Sequence, residues 1–291
     1  MKIRLLLLSL LFVALPVFAG LPFDTVFRGR DRFAALVQRA DEENWKALPI
    51  GERVCAVGRA LAGTPYRSFT LEIDDHTEAP SVNLNGLDCW TFFETSLAFA
   101  RMLNEPREGW TPQTMLHFIE VDRYRGGHCT GEYLSRLHYL EDWLYDNDRR
   151  GLVQDMTRSL GGVRVAHEAR EMTAGWHEYR YLRADPGLLG PLGQMERRVT
   201  GLTMYHIPKN RVARIESRLQ DGDIICITSR QGRLISTAHV GLAYRDGVGV
   251  LHFMHASSPH NYGRVVIDDR LSNYLNRYRS DAGIIVARPL I

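Results

Sequence analysis

Residues 88–104 form a run that only a buried helix accommodates. Phe92, Phe93, Leu97, Ala98, Phe99, Met102 and Leu103 leave little of a helical circumference polar. A helix apolar nearly all round belongs in the middle of a fold. Asn85-Gly86 predicts the turn before it, and Asp88 is placed to cap its first N–H groups. Cys89 then falls in the first turn. There the positive end of the helix, helped by a neighbouring imidazolium, favours the thiolate, the form in which cysteine is a nucleophile.

The pattern changes along the chain. An amphipathic helical lead-in is expected over 24–50 and a short helix over 51–61, ended by Gly63-Thr64-Pro65. Residues 66–73 read as extended, and Asp74-Asp75-His76-Thr77 as a turn cluster. A long, aromatic-rich and mostly helical insertion is expected at about 105–221. Strands follow at 223–228, 239–244, 250–255, 264–267 and 283–287, with one helix at 269–278. Helices first and an antiparallel meander afterwards argue for the α+β class.

Two histidines bracket the hairpin in that meander. With a turn centred on Gly247, His239 and His255 face each other, with side chains about 4.5–5.5 Å apart on one face of the sheet. One imidazole can then fix the tautomer of the other, and with Cys89 they supply a nucleophile, a base and an orienting group. His252 lies three residues from His255 and so points to the other face. That alternation argues against a metal site built from His252, His255 and His260. His128-Cys129 face apart in any regular element, so no metal ligands are assigned. Cys55 and Cys226 sit in apolar runs, as inert buried thiols do. Two of the four cysteines could pair in an oxidising compartment, although Cys89 has to stay free to react.

The N-terminus indicates that compartment. Lys2 and Arg4 precede the apolar run Leu5-Leu6-Leu7-Leu8-Ser9-Leu10-Leu11-Phe12-Val13-Ala14-Leu15. Pro16 breaks the run, and Val17-Phe18-Ala19 offers small residues for cleavage after Ala19. This reads as a signal peptide over 1–19, followed by a single domain over 20–291. The apolar core is shorter than the roughly 20 residues of a membrane span, so a periplasmic protein with no stable membrane anchor is expected. A hydrophobic content of 45%, a charged content of 24% and a formal net charge of +2 describe an ordinary globular enzyme without a field for nucleic acid. No phosphate-binding loop or dinucleotide motif is present, and no cofactor is expected.

The order of motifs resembles that of the NlpC/P60 cysteine peptidases. It runs Gly63-Thr64-Pro65-Tyr66, Leu87-Asp88-Cys89, Gly222-Asp223-Ile224-Ile225, His239-Val240-Gly241-Leu242-Ala243-Tyr244, and Met254-His255-Ala256. Closer still is the resemblance to the DUF1460, N-acetylmuramoyl-L-alanine-amidase-like branch. The approach Asn83-Leu84 to Leu87-Asp88-Cys89 carries it, together with Ser135-Arg136-Leu137-His138-Tyr139, Asp142-Trp143 and His255-Ala256-Ser257-Ser258. The similarity covers roughly residues 45–290.

The resemblance implies a papain-like core in which the cysteine helix packs on an antiparallel sheet. It implies Cys89 as nucleophile, His239 as base, His255 as orienting residue and Tyr66 as a group that helps bind the oxyanion. Asp88 and Ser257, within the family's motifs beside these residues, are further candidates for binding the oxyanion or substrate. Two features depart from the family pattern. The stretch from Cys89 to His239 is longer than in a minimal NlpC/P60 domain, and Trp90 replaces a smaller residue at the entrance. Within the insertion, Arg123, Tyr124, Arg125, Arg136, Tyr139 and Trp143 are suited to hold carboxylates and a sugar face, or else serve as ordinary helix packing.

The function implied is an exported cysteine amidase of peptidoglycan or muropeptides, cutting the amide between N-acetylmuramic acid and L-alanine. The alternatives are a γ-D-glutamyl–diamino acid endopeptidase, a noncatalytic cell-wall-binding domain, and a thioesterase or acyltransferase.

Overall fold

The computed structural model describes residues 20–290. The expected signal peptide, residues 1–19, lies outside them. In chain order the helices are α1 (Phe23–Val26), α2 (Arg30–Glu42), α3 (Ile50–Ala60), α4 (Cys89–Met102), α5 (Pro112–Arg123) and α6 (Leu140–Arg149), then α7 (Glu171–Ala174), α8 (Arg180–Ala184), α9 (Leu189–Thr200), α10 (Lys209–Ile215) and α11 (Leu271–Arg277). Two short strands, β1 (Phe27–Arg28) and β2 (Val82–Asn83), pair in parallel. The remaining strands are β3 (Val153–Asp155), β4 (Val163–Val165), β5 (Met204–Pro208), β6 (Ile224–Gln231), β7 (Leu234–Arg245), β8 (Leu251–Ala256), β9 (Val265–Arg270) and β10 (Asp281–Pro289). They form a mixed α+β fold around a sheet of order β4-β5-β10-β6-β7-β8-β9, with β3 also on β10, and every pair is antiparallel.

Strand alternation sends the sheet's side chains into two cores. Ile224, Cys226, Val240, Leu242, Met254 and Ala256 face one side, in the same core as Phe92, Phe93, Leu97 and Phe99 of α4. Ile225, Ile227, Ala243 and Phe253 face the other, with Val212 of α10 and Leu271, Tyr274 and Leu275 of α11. Both faces are covered, which explains why β6 reads as a continuous apolar run rather than as an alternating one. The approach of α3 to β8 is close. A Cβ on Gly58 would lie 2.6 Å from Cε of Met254.

α4 is the buried helix that its composition requires. Asp88 caps it, its Oδ1 accepting from the Thr91 N–H at 2.7 Å, while Thr91 Oγ1 accepts from the Asp88 N–H at 3.0 Å. Its few charges are paired inside the protein. Glu94 accepts from Arg123 at 2.7 Å with both side chains buried, and Arg101 pairs with Asp122. Removing one partner of such a pair strands a buried charge and costs about 3–5 kcal/mol.

Two expectations change. Residues 105–221 are not helices alone: β3, β4 and β5 arise there and join the main sheet. The aromatic pattern marks the helices, but strands this short leave too few alternations to be seen. Residues 66–73 are not a strand. Tyr66 makes one isolated bridge to Leu87, then the chain turns, and Phe69 adopts a left-handed φ of 58°. Asp74 closes the next turn as expected, accepting from the N–H groups of His76 and Thr77. Among the described residues no helix is long and apolar enough to cross a membrane.

Candidate active site

α4 starts beside β7. β7 pairs with β8 from Leu242 onward, so its preceding residues have a free edge. On that edge the Val240 N–H reaches the Cys89 thiol. Cys89, Val240 and His239 line one cavity of ≈ 380 Å³. The four cysteines are all free, and Cys55 and Cys226 are buried as expected.

His239 Nε2 and His255 Nδ1 are 2.7 Å apart, with ring planes at 89°. The other nitrogen of His255, Nε2, lies 3.3 Å from Oδ2 of Asp268 on β9. Asp268 is held in turn by Arg277 of α11 at 2.7 Å. Phe253 stacks on the His255 ring at 4.6 Å, and Tyr274 closes its edge at 5.2 Å.

The register differs from the expected one. Leu242 pairs with Met254 and Tyr244 with His252, so the turn is centred one residue later, on Val248. Asp246 makes the difference, its N–H donating to the Val250 carbonyl and its carboxylate accepting from the N–H groups of Val248 and Val250. His239 and His255 are therefore diagonal neighbours, and Gly241 stands opposite His255. A Cβ there would meet the His255 Cβ at 2.8 Å and the Met254 carbonyl oxygen at 2.5 Å. Its absence leaves room for the His255 ring to lean across to His239.

The hydrogen-bond chain assigns the tautomers. Burial works against the Asp268 charge, but bonds from His255, the Asp269 N–H and Arg277 hold its carboxyl down at about 2. Ionised Asp268 only accepts, so His255 Nε2 carries its proton and His255 Nδ1 accepts. His239 Nε2 then donates, which leaves His239 Nδ1 as the basic nitrogen.

Burial, with the neighbouring His255, pushes the His239 imidazole down to about 3. Burial and the Asp88 carboxylate push the Cys89 thiol up to about 12, against the N–H groups of Val240, Trp90 and Cys89 itself. Burial thus favours the neutral form of both the thiol and the imidazole. Desolvation opposes the thiolate that the helix start favours.

The other expected site residues separate. Asp88 lines the cavity but spends its carboxylate on the cap. Tyr66 lies outside the lining of this cavity and borders a neighbouring one, and burial first, then the charged forms of Cys89 and Asp88, raise its hydroxyl to about 12. Arg136 and Tyr139 line the cavity, yet their polar ends are engaged inside the protein. Arg136 donates to Glu72 at 2.8 Å, and the Tyr139 hydroxyl donates to Glu196 at 2.7 Å. Ser257 is buried beyond the end of β8, outside the cavity lining, and its Oγ accepts from the Tyr262 N–H. Arg123 and Tyr124 are internal too, paired with Glu94 and Glu78. Arg125 holds Asp142 through two bonds, and Trp143 packs on Phe93. Trp90 stands in the cavity wall as expected.

Asp268 was not legible as a site residue. In the sequence it falls between the strand expected at 264–267 and the helix expected at 269–278, whereas in the structure it lies within β9. A bulge between the His252 and Met254 pairings shifts β9 against β8 and brings Asp268 under His255.

Several solved structures are similar to this chain. An N-acetylmuramoyl-L-alanine amidase from Bacteroides uniformis is 28% identical, with 83% of this chain and 99% of that one covered at a TM-score of 0.72. A Bacteroides fragilis protein provisionally named a xylanase is 31% identical, with 80% and 99% covered at 0.71. A Legionella pneumophila protein of the DUF1460 family, 20% identical, shares the fold over 90% of this chain and 95% of its own at 0.67. No curated protein matches the chain. Residues 56–284 match the family described as AmiA-like, N-acetylmuramoyl-L-alanine amidase-like, and the chain belongs to that family.

Proposed function

We propose that this protein is an exported cysteine amidase that cleaves the bond between N-acetylmuramic acid and L-alanine in peptidoglycan or its fragments. One observation carries the cysteine mechanism: a thiol at a helix start shares a cavity with a histidine whose tautomer is fixed by a second histidine and an ionised aspartate. Family membership and the B. uniformis amidase support the bond. The core is read as papain-like and related to NlpC/P60, with α4 as its nucleophile helix.

In this reading Cys89 Sγ attacks the lactyl carbonyl of muramic acid as its proton passes to His239 Nδ1. The resulting imidazolium keeps its Nε2–H bond to His255. The Cys89 N–H at the helix start and the neutral Tyr66 hydroxyl stabilise the oxyanion. His239 then returns the proton to the departing amine of L-alanine, and the C–N bond breaks. Water, deprotonated by His239, frees the muramoyl thioester and restores the thiol. Because burial favours a neutral thiol and a neutral imidazole, proton transfer accompanies attack rather than preceding it.

The sugar occupies the cavity whose wall includes Phe69, Trp90, Tyr133, Tyr139 and Tyr179. Lys2, Arg4, the apolar run and Val17-Phe18-Ala19 support export to the periplasm. The test is product mass. Disaccharide-peptides yield free disaccharide and a peptide beginning with L-alanine, while release of L-Ala-γ-D-Glu from sugar-free peptides selects the endopeptidase instead. Periplasmic protein starting near Gly20 tests export, and an intact Met1 form confined to the cytoplasm contradicts it.

A further inference from the structure

A second cavity, of ≈ 480 Å³, adjoins the first. Ser68, Phe69 and Glu72 line both and form their common wall. Tyr66 lines the second cavity, and Cys89 is among the groups whose charge would raise its hydroxyl.

The charge of this cavity is one-sided. Arg28, Arg67 and Arg180 line it, and Glu72 is its acidic residue. Glu72 is already neutralised, its Oε1 accepting from Arg136 at 2.8 Å and from the Tyr133 hydroxyl at 3.1 Å. Arg180 is paired with Asp75. Among the described residues the guanidinium groups of Arg28 and Arg67 have neither ion pair nor hydrogen bond. Further polar groups stand in the same wall. The buried Oγ1 of Thr70 has no hydrogen-bond partner. Asn83 accepts from the Asn85 N–H through Oδ1 and so keeps its NH2 group free.

Unpaired guanidinium groups in a concave surface, with hydroxyl and amide donors between them, recognise carboxylates by charge-assisted hydrogen bonds. We infer that this cavity is the subsite for the stem peptide on the amine side of the scissile bond, and that Arg28 and Arg67 bind its carboxylates. The assignment rests on the amidase reading, in which the muramoyl group fills the first cavity. The peptide must then leave Cys89 in another direction, and the adjoining cavity behind Ser68, Phe69 and Glu72 provides one. A γ-linked D-glutamyl residue has a free α-carboxylate one residue beyond L-alanine, and a diamino acid brings another. Each step along the peptide spans about 3.5 Å, and the arginines stand around a cavity that shares Ser68, Phe69 and Glu72 with the one that holds Cys89.

The test is calorimetric titration of the full chain carrying Cys89→Ala with two sugar-free peptides. One is L-Ala-γ-D-Glu-diaminopimelate, and the other is the same peptide with the glutamyl α-carboxylate converted to an amide. The carboxylate form is expected to bind about ten-fold tighter or more. The double substitution Arg28→Gln, Arg67→Gln removes that preference. Both side chains are exposed, so the fold survives, and an unchanged circular dichroism spectrum checks this. Equal binding of the two peptides, no binding of either, or an undiminished preference in the double variant overturns the assignment. The titration breaks no bond. Failure of the wild-type protein to release disaccharide therefore defeats the amidase reading separately and leaves this result standing.

Discussion

His239 and His255 are not directly opposed across their hairpin, yet their ring nitrogens meet at 2.7 Å. Gly241 makes this possible by leaving the opposed position empty of side chain. The contact matters for what lies behind it. His255 Nε2–H rests on Asp268, and Arg277 holds Asp268 ionised. A negative charge two residues from the base thereby fixes which nitrogen of His239 accepts a proton.

Asp268→Asn tests that relay. An asparagine can present its NH2 group to His255 Nε2, which then becomes an acceptor and reverses the tautomer chain. The account predicts a fall in kcat of about 10²–10⁴-fold with KM little changed. Asp268→Glu should restore part of the loss, because a carboxylate still accepts from His255. If Asp268→Asn changes only thermal stability, Asp268 is structural and the relay ends at His255.

Alkylation tests the resting state of the nucleophile. With the thiol pushed up to about 12, iodoacetamide labels Cys89 slowly at neutral pH. The rate keeps rising as pH passes the ordinary cysteine value of about 8.5. A labelling rate that reaches its plateau near pH 7 shows a thiolate–imidazolium pair instead, as the position at the helix start alone would suggest.

Stability should depend on pH through the same residues. The His239 value is lowered from 6.5 to about 3, and His255 is lowered as well, both first by burial. Below pH 6.5 the unfolded chain takes up protons that the folded protein refuses, so the stabilisation is fully present above that pH. It is lost as pH falls toward about 3. Melting temperature should decline over this window, and His239→Gln should make the decline shallower. A melting temperature that stays flat from about pH 7 to 4 contradicts the burial of two neutral imidazoles.

Much of this site was legible because its determinants are local. The apolar circumference of residues 88–104 placed α4, and Asp88 announced its cap. The alternating strands around His239 and His255 put both rings on one face whether the turn centres on residue 247 or 248. What stayed hidden depends on contacts between distant residues. Asp268 reaches His255 through a bulge that no strand pattern displays. Burial opposes the Cys89 thiolate that its sequence position favours. Arg136 and Tyr139 look like binding groups in the sequence, but Glu72 and Glu196 claim their polar ends. The short strands β3, β4 and β5 acquire their identity from partners far along the chain.

The most direct test of the central claim is intact-protein mass spectrometry of the chain quenched within one turnover of a disaccharide-peptide. The account predicts an adduct of the muramoyl disaccharide acyl group, mapping to the peptide that contains Cys89, transient in the wild-type protein and absent from Cys89→Ala. Disaccharide release without any adduct, together with full activity in Cys89→Ala, would contradict it.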